Sequence, residues 1–325
     1  MSESTSEWYS RFARLEAHGQ SPIYEALSSG VAADDAVLAL IDELPRLRRQ
    51  PNLVLACSRL LGAPVDSYAQ WRSWLLAHWP EVRAEASTRL TQTNEARRCT
   101  ALLPVLASLD GPIALLEVGA SAGLCLFPDR YSYSYDGVVL DPVDGPSPVL
   151  LEATTNGPAP TRMPDIVWRA GIDLHPLDVS DPSDSLWLET LIWPEQHERL
   201  SRLRGAMDVV RADPPVLVRG DAVSALASLA AQAPADATLV VISSGVLVYL
   251  VRAEREAFAT AVRSLDARWL SLEAAGLFPT VAAQVTQATG LDSLDGRFAL
   301  ALDDRALALV GAHGQFVEWL PTLPR

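Results

Sequence analysis

After the turn signal Asp110-Gly111-Pro112 the chain changes texture, and that change constrains its fold more than any other feature. Short apolar runs at 113–118, 166–172, 216–219, 239–242 and 269–272 alternate with helical periodicity at 198–210, 222–232 and 253–265. Apolar runs without polar alternation are strands buried on both faces, and helices between them supply the crossovers of a parallel sheet. An α/β fold with a mostly parallel sheet is therefore expected over 111–325. Before the turn no strand-like alternation occurs. Trp8, Phe12 and Leu15 recur at helical spacing, as do Val37, Leu40, Ile41 and Leu44, and helical patterns continue at 53–61, 71–79 and 83–109. Residues 1–110 read as an all-helical N-terminal cap. Residues 141–164, rich in Pro, Gly and Thr, read as a surface loop.

The tail has a different pattern. Residues 298–302 and 306–310 read as a hairpin across Asp303-Asp304-Arg305, with a further strand at 316–320. An antiparallel C-terminal edge on a parallel, Rossmann-like sheet is similar to the sheet of class I methyltransferases.

Chemistry concentrates where the first apolar run ends, in Glu117-Val118-Gly119-Ala120-Ser121-Ala122-Gly123. Small residues let a backbone approach a ligand closely, and ligands of open α/β sheets bind at the carboxyl ends of the strands. The pattern fits the methionine end of S-adenosylmethionine, with Glu117, Gly119, Ala120, Ser121 and Gly123 as its binding residues. Asp173 ends the second run, where a ribose diol is held. Asp221, followed by Ala222, ends the third, where adenine is contacted. Each aspartate equally suits a helix N-cap. Ser243 and Ser244 end the fourth run, and with Tyr249 they are expected beside the transferred methyl group. Glu95 is the candidate acid or base on the helical side. The same turn is a literal G-x-S-x-G, so Ser121 as a hydrolase nucleophile is the rival reading, with His313 as base and Asp292 or Asp303 orienting it. The helices that precede the first strand, and Glu117 beside the would-be oxyanion, weigh against it. A non-catalytic binder of adenosine-like ligands is a third reading.

Composition narrows the partners. Net charge is −14, and all 26 basic residues are Arg. Such a balance argues against a phosphate-neutralising surface and hence against nucleic acid. Arg89, Arg97 and Arg98 are the candidates for a local basic strip, with solvated helix arginines as the bland alternative. Cys57, Cys99 and Cys125 form no metal or disulfide pattern, and the five histidines have no ligand spacing. The polar, acidic first residues carry no signal-peptide pattern, and the apolar run 239–251 is too short and serine-interrupted for a bilayer. A cytoplasmic protein acting on a small molecule, without metal or membrane, is the expectation; oligomeric state stays open.

Eight strings spread along nearly the whole chain carry a family resemblance. They are Arg49-Gln-Pro-Asn-Leu53, Thr91-Gln-Thr-Asn-Glu95, Leu116-Glu-Val-Gly-Ala-Ser-Ala-Gly-Leu124, Asp129-Arg-Tyr131, Trp168-Arg-Ala-Gly171, Trp193-Pro-Glu-Gln196, Arg211-Ala-Asp-Pro-Pro215 and Arg219-Gly-Asp221. With them the chain resembles the bacterial domain-of-unknown-function 2332 family, which implies a methyltransferase-like fold and no settled activity. Two departures bear on chemistry. Cys125 stands where such proteins often have Asn, and Ser243 where a His often ends the fourth strand. Gln50, Asn52, Gln92 and Asn94 sit in apolar helical surroundings, where they need hydrogen-bond partners from a ligand or from the loop backbone. Trp187 and Trp193 read as core, or as a substrate wall.

Overall fold

The computed structural model describes residues 3–92, 94–291 and 296–321. It divides into two compact units, Met1–Thr93 with Ser180–Ser201, and Asn94–Val179 with Arg202–Arg325.

The first unit is helical: α1 Thr5–Phe12, continued by a π-turn Ala13–Ala17, α2 Pro22–Ala32, α3 Asp35–Ile41, α4 Pro51–Leu60 and α5 Tyr68–Thr88. Side-chain caps explain the starts. Ser4, Ser21, Asp34 and Ser67 each accept a first-turn amide, satisfying donors that have no intrahelical partner. Pro80 lies inside α5, which leaves helical geometry at His78. Residues 180–201 return to this unit, and their tryptophans serve as core. Trp193 packs against Phe12 and Tyr24 at 5.8 and 5.4 Å and donates to the Asn52 side chain at 2.9 Å. Trp187 is buried and donates to the Leu90 carbonyl at 3.1 Å, with the Arg89 guanidinium over its ring.

The second unit opens with α6 Cys99–Leu106 and is built on one sheet. Its strands are β1 Pro112–Val118, β2 Ser132–Tyr135, β3 Val138–Leu140, β4 Leu150–Thr155, β5 Asp165–Asp173, β6 Val216–Arg219, β7 Thr238–Ser244, β8 Arg268–Ala274, β9 Phe298–Leu302, β10 Arg305–Val310 and β11 Phe316–Trp319. Helices α7 Pro182–Leu191, α8 His197–Ala212, α9 Leu226–Ala230, α10 Arg252–Arg263 and α11 Pro279–Thr289 complete the chain. Strand order is β3-β2-β4-β11-β10-β9-β8-β7-β1-β5-β6. From β6 to β8 all neighbours are parallel, and β8 to β11 is an antiparallel meander. The protein is thus a mixed α/β chain around a large, mostly parallel sheet.

The apolar runs lie where they form strands because β1, β7 and β8 are buried on both faces. Leu116, Val118, Ile172 and Val241 pack with Leu226 and Leu229 of α9, Phe258 and Val262 of α10, and Trp269. The β9–β10 hairpin turns at Asp303 and Asp304, both with positive φ, as a two-residue turn requires.

Several elements depart from the sequence pattern. Residues 141–164 contain β4, whose Leu151 and Ala153 alternate into the core, as does Val149 just before it. Strand β2 and the residue before it bury Tyr131, Tyr133 and Tyr135, each hydroxyl donating to a backbone carbonyl (Leu124, Pro128 and Thr100) at 2.6–2.8 Å. The helical pattern at 222–232 yields only the short α9, preceded by a turn. The pattern at 83–109 breaks at Arg89, and its second half, α6, belongs to the sheet unit. No helix among the described residues is long and apolar enough to cross a membrane.

Candidate functional site

The sheet's order reverses beside β1. After β2–β4, which lie at the far edge beyond β11, the chain adds β5 and β6 on one side of β1, then returns to β1's other side for β7 and β8. The turn that follows β1 therefore stands at a topological switch point, where adjacent crossovers leave in opposite directions.

That turn is held from several sides. The Gly119 and Ala120 amides donate to the Ile172 carbonyl at 2.8 and 3.2 Å, and Gly123 donates to the Ala120 carbonyl at 2.7 Å. Asp173 accepts the Ser121 amide at 2.8 Å with one oxygen and the His175 amide at 2.8 Å with the other. Asn94 donates to the Ala120 carbonyl at 2.8 Å and accepts the Leu124 amide at 3.1 Å. Gly119 and Gly123 have φ of +75° and +76°, where a side chain is strained. A Cβ on Gly119 would also lie 2.4 Å from Val246 Cγ2, so the residue lets Val246 sit directly on the turn. Gly171 of β5 likewise leaves room for the Ala120 methyl. Beyond Gly123 the chain forms only 3-10 turns, Leu124–Leu126 and Pro128–Arg130, so no α-helix directs its dipole at this bend.

The acids at the strand tips differ in environment. Alternation along β1 puts Glu117 on the face opposite Leu116 and Val118. It is 4% exposed, and its Oε2 has no hydrogen-bond partner. Burial holds its carboxyl well above the usual carboxylate range; Cys125 and Asp173 add to the effect and Arg98 opposes it. Asp173 spends an oxygen on each of two amides, as a strap. Asp221 is exposed and accepts the Val223 and Ser224 amides at 2.9 and 3.0 Å, opening the turn that contains Ala222. It thus caps this turn and not a helix, since α9 begins later with Ala225 as its N-cap.

At the end of β7, Ser243 is fully buried and accepts the Trp269 indole N–H at 3.2 Å. The Ser244 carbonyl accepts from Arg98 at 2.7 Å. Tyr249 is 69% exposed on the 3-10 turn Leu247–Tyr249. Glu95 lies in the sheet unit, 3% exposed, where its Oε1 accepts the Arg97 amide and Arg202 Nε, each at 3.1 Å. The cap amides take protein partners too. Gln50 accepts from Thr91 at 2.9 Å, and Asn52 accepts from Trp193.

Two arginines differ from both expectations, neither forming a basic strip nor standing in solvent. Arg98 is buried and donates to the Ser244 and Ala312 carbonyls, and Arg97 Nε donates to the His313 carbonyl at 3.0 Å. Their guanidinium groups satisfy loop carbonyls.

Ser121 has φ of +51°, a strained bend for a non-glycine residue, but its buried Oγ makes no hydrogen bond among the described residues. Asp303 accepts the Trp269 amide and pairs with Arg268, and Asp292 lies outside the described residues.

Sequence reasoning passed over Glu273. It ends β8 in Ser271-Leu-Glu-Ala274, the same acid-at-a-strand-end signal that marks Glu117, and it is 3% exposed. No group of His, Cys, Asp and Glu able to hold a metal occurs among the described residues, and all three cysteines are free and buried.

A family model described as "Uncharacterized protein conserved in bacteria (DUF2332)" matches residues 6–319. No curated protein and no solved structure matches the chain.

Proposed function

Because the chain belongs to the DUF2332 family of uncharacterized bacterial proteins, whose description assigns no reaction, we propose a function from the site itself: binding of S-adenosylmethionine at Gly119–Gly123 and methyl transfer to a small-molecule acceptor. The observation that carries this reading is a tight, positive-φ glycine turn placed after β1, at the switch point of the order β6-β5-β1-β7-β8. That order is the doubly wound one of dinucleotide-binding sheets, and with the antiparallel strands beyond β8 we infer a class I methyltransferase-like domain.

The residues fit such a ligand in part. Glu117 Oε2 and Ser121 Oγ are buried without partners, and an ammonium or hydroxyl group would satisfy them. Asp173 and Asp221 already accept backbone amides, yet each carboxylate oxygen has a second lone pair for a ribose hydroxyl or an adenine amine. When bound, the cofactor supplies an electrophilic methyl group. The chain's part is to hold and orient. Glu117, Gly119, Ala120, Ser121 and Gly123 would take the methionine end, Asp173 the ribose, and Asp221 with Ala222 the adenine. Ser243, Ser244 and Tyr249 would border the acceptor, and Glu95, tied to Arg202, would fix the segment that carries Asn94. Rate enhancement then comes chiefly from proximity and orientation.

Titration with S-adenosylmethionine and S-adenosylhomocysteine tests this by thermal shift. At a hundredfold excess over Kd, a specific ligand stabilises the folded state by about 2.7 kcal/mol, a shift of several degrees. The shift should vanish in Gly119→Arg, whose own folding is checked by circular dichroism. No shift with either compound, together with fluorophosphonate labelling of Ser121, would overturn the proposal in favour of a hydrolase. Binding without turnover over a wide acceptor panel would reduce it to a non-catalytic binder.

A further inference from the structure

Glu273 has a task that neither its strand nor the core requires. Its Oε1 accepts the Val246 amide at 3.2 Å and the Leu247 amide at 3.3 Å, and the Leu247 amide also reaches Oε2 at 3.3 Å. Two residues of the loop after β7 are thus pinned, through their backbone, to the end of β8. The pinned Val246 is the residue seated on Gly119, with its branched side chain where a glycine Cβ would otherwise be. Carboxylate, loop and glycine turn form one continuous stack.

The charged group acting on Glu273 is Arg98, which also acts on Glu117. Its partner on β9 is Ala299, and the last β7 residues paired with β8 are Ser243 and Ser244, none of which carries a charge. Burial raises the Glu273 carboxyl to about 7, with the two amides, Arg98 and Ser243 opposing. Ionised, the carboxylate accepts charge-assisted bonds from both amides at Oε1; protonation removes that charge and takes Oε2 away as a full-strength acceptor for the Leu247 amide.

We propose that Glu273 is a proton-controlled positioning residue: ionised, it holds Val246 and Leu247 so that Val246 is clamped onto the glycine turn, and protonated, it loosens that clamp and weakens ligand binding at the turn. The proton passes between the carboxyl group and solvent, and no other bond changes. The clamp itself is independent of the ligand's identity; its effect on binding rests on the reading given under Proposed function.

The test uses the full chain, isotopically labelled, over a pH range centred on the midpoint. The Glu273 carboxyl carbon and the amides of Val246 and Leu247 are followed by nuclear magnetic resonance, and the Kd for S-adenosylhomocysteine is measured by calorimetry. All three resonances should move together with a midpoint of about 7. The Kd should rise by about threefold or more as pH falls through that midpoint, and Glu273→Gln should flatten both profiles. The clamp is refuted if the two amides do not titrate with the carboxyl group, a result that the wild-type protein alone delivers even where the variant does not fold. A Kd profile unchanged by Glu273→Gln refutes the control of binding. Absence of S-adenosylhomocysteine binding at every pH, with co-titrating amides, removes the cofactor reading and the control of binding while upholding the clamp.

Discussion

Substituting Gly119 by Ala probes the turn with one methyl group. Two costs add. A non-glycine residue at φ +75° is disfavoured by about 1 kcal/mol, because its Cβ crowds the backbone in the left-handed region. The new Cβ would also stand 2.4 Å from Val246 Cγ2 and 2.6 Å from Val246 Cβ. Rotating Val246 moves its methyl groups but not its Cβ, and Glu273 pins its amide, so the overlap persists at about 1–3 kcal/mol. The expected loss is about 2–4 kcal/mol, measured by denaturant unfolding. A double-mutant cycle with Val246→Gly separates the two parts, since removing Val246 Cβ relieves the overlap and leaves the φ strain. The double variant should be more stable than additivity predicts by about 1–3 kcal/mol. Additive effects, or a Gly119→Ala protein as stable as the parent, would refute the idea that Val246 is seated on the turn.

Two further outcomes follow from the same geometry. Asn94→Ala removes both bonds that tie the turn to the segment before α6, leaving the Leu124 amide without its acceptor, and should cost about 1–3 kcal/mol in denaturant unfolding. The Glu273 carboxyl lies higher in the folded state than its ordinary 4.5, so its contribution to stability is full below 4.5 and is lost as pH rises through about 7. The interval of about 2.5 pH units, at about 1.4 kcal/mol each, caps the effect at about 3–4 kcal/mol. Melting temperature should therefore fall more steeply with pH in the parent than in Glu273→Gln. Parallel curves for the two proteins would show that the carboxyl does not titrate there.

How much of this was legible beforehand depends on what each element has to bury. Strands β1, β5, β6, β7 and β8 lie at their expected places; for β1, β7 and β8 the reason is that a strand covered on both faces needs an unbroken apolar run. The β9–β10 hairpin was readable from Asp303-Asp304, polar residues that tolerate positive φ. Strands β2 and β4 hid in polar, proline-rich surroundings. Tyr131, Tyr133 and Tyr135 keep their hydroxyls buried only because three carbonyls converge on them, and no local pattern announces such partners.

The site divides along the same line. Residue order alone fixed that a small-residue turn follows an apolar strand ending in Glu117, and that Asp173 and Asp221 end the next two, since chain connectivity and hydrophobic period are local properties. Where those carboxyl groups face was decided by tertiary structure. Asp173 turns inward onto the Ser121 amide, Asp221 caps its own turn, and Glu117 stays buried with a partnerless oxygen. Arg98 and Glu273 meet the turn from elements distant in sequence, Arg98 through the Ser244 carbonyl and Glu273 through the Val246 amide. Hydrogen-bond partners of buried polar groups are chosen by which backbone atoms the fold brings within about 3 Å, and that proximity is not written in any single segment of the chain.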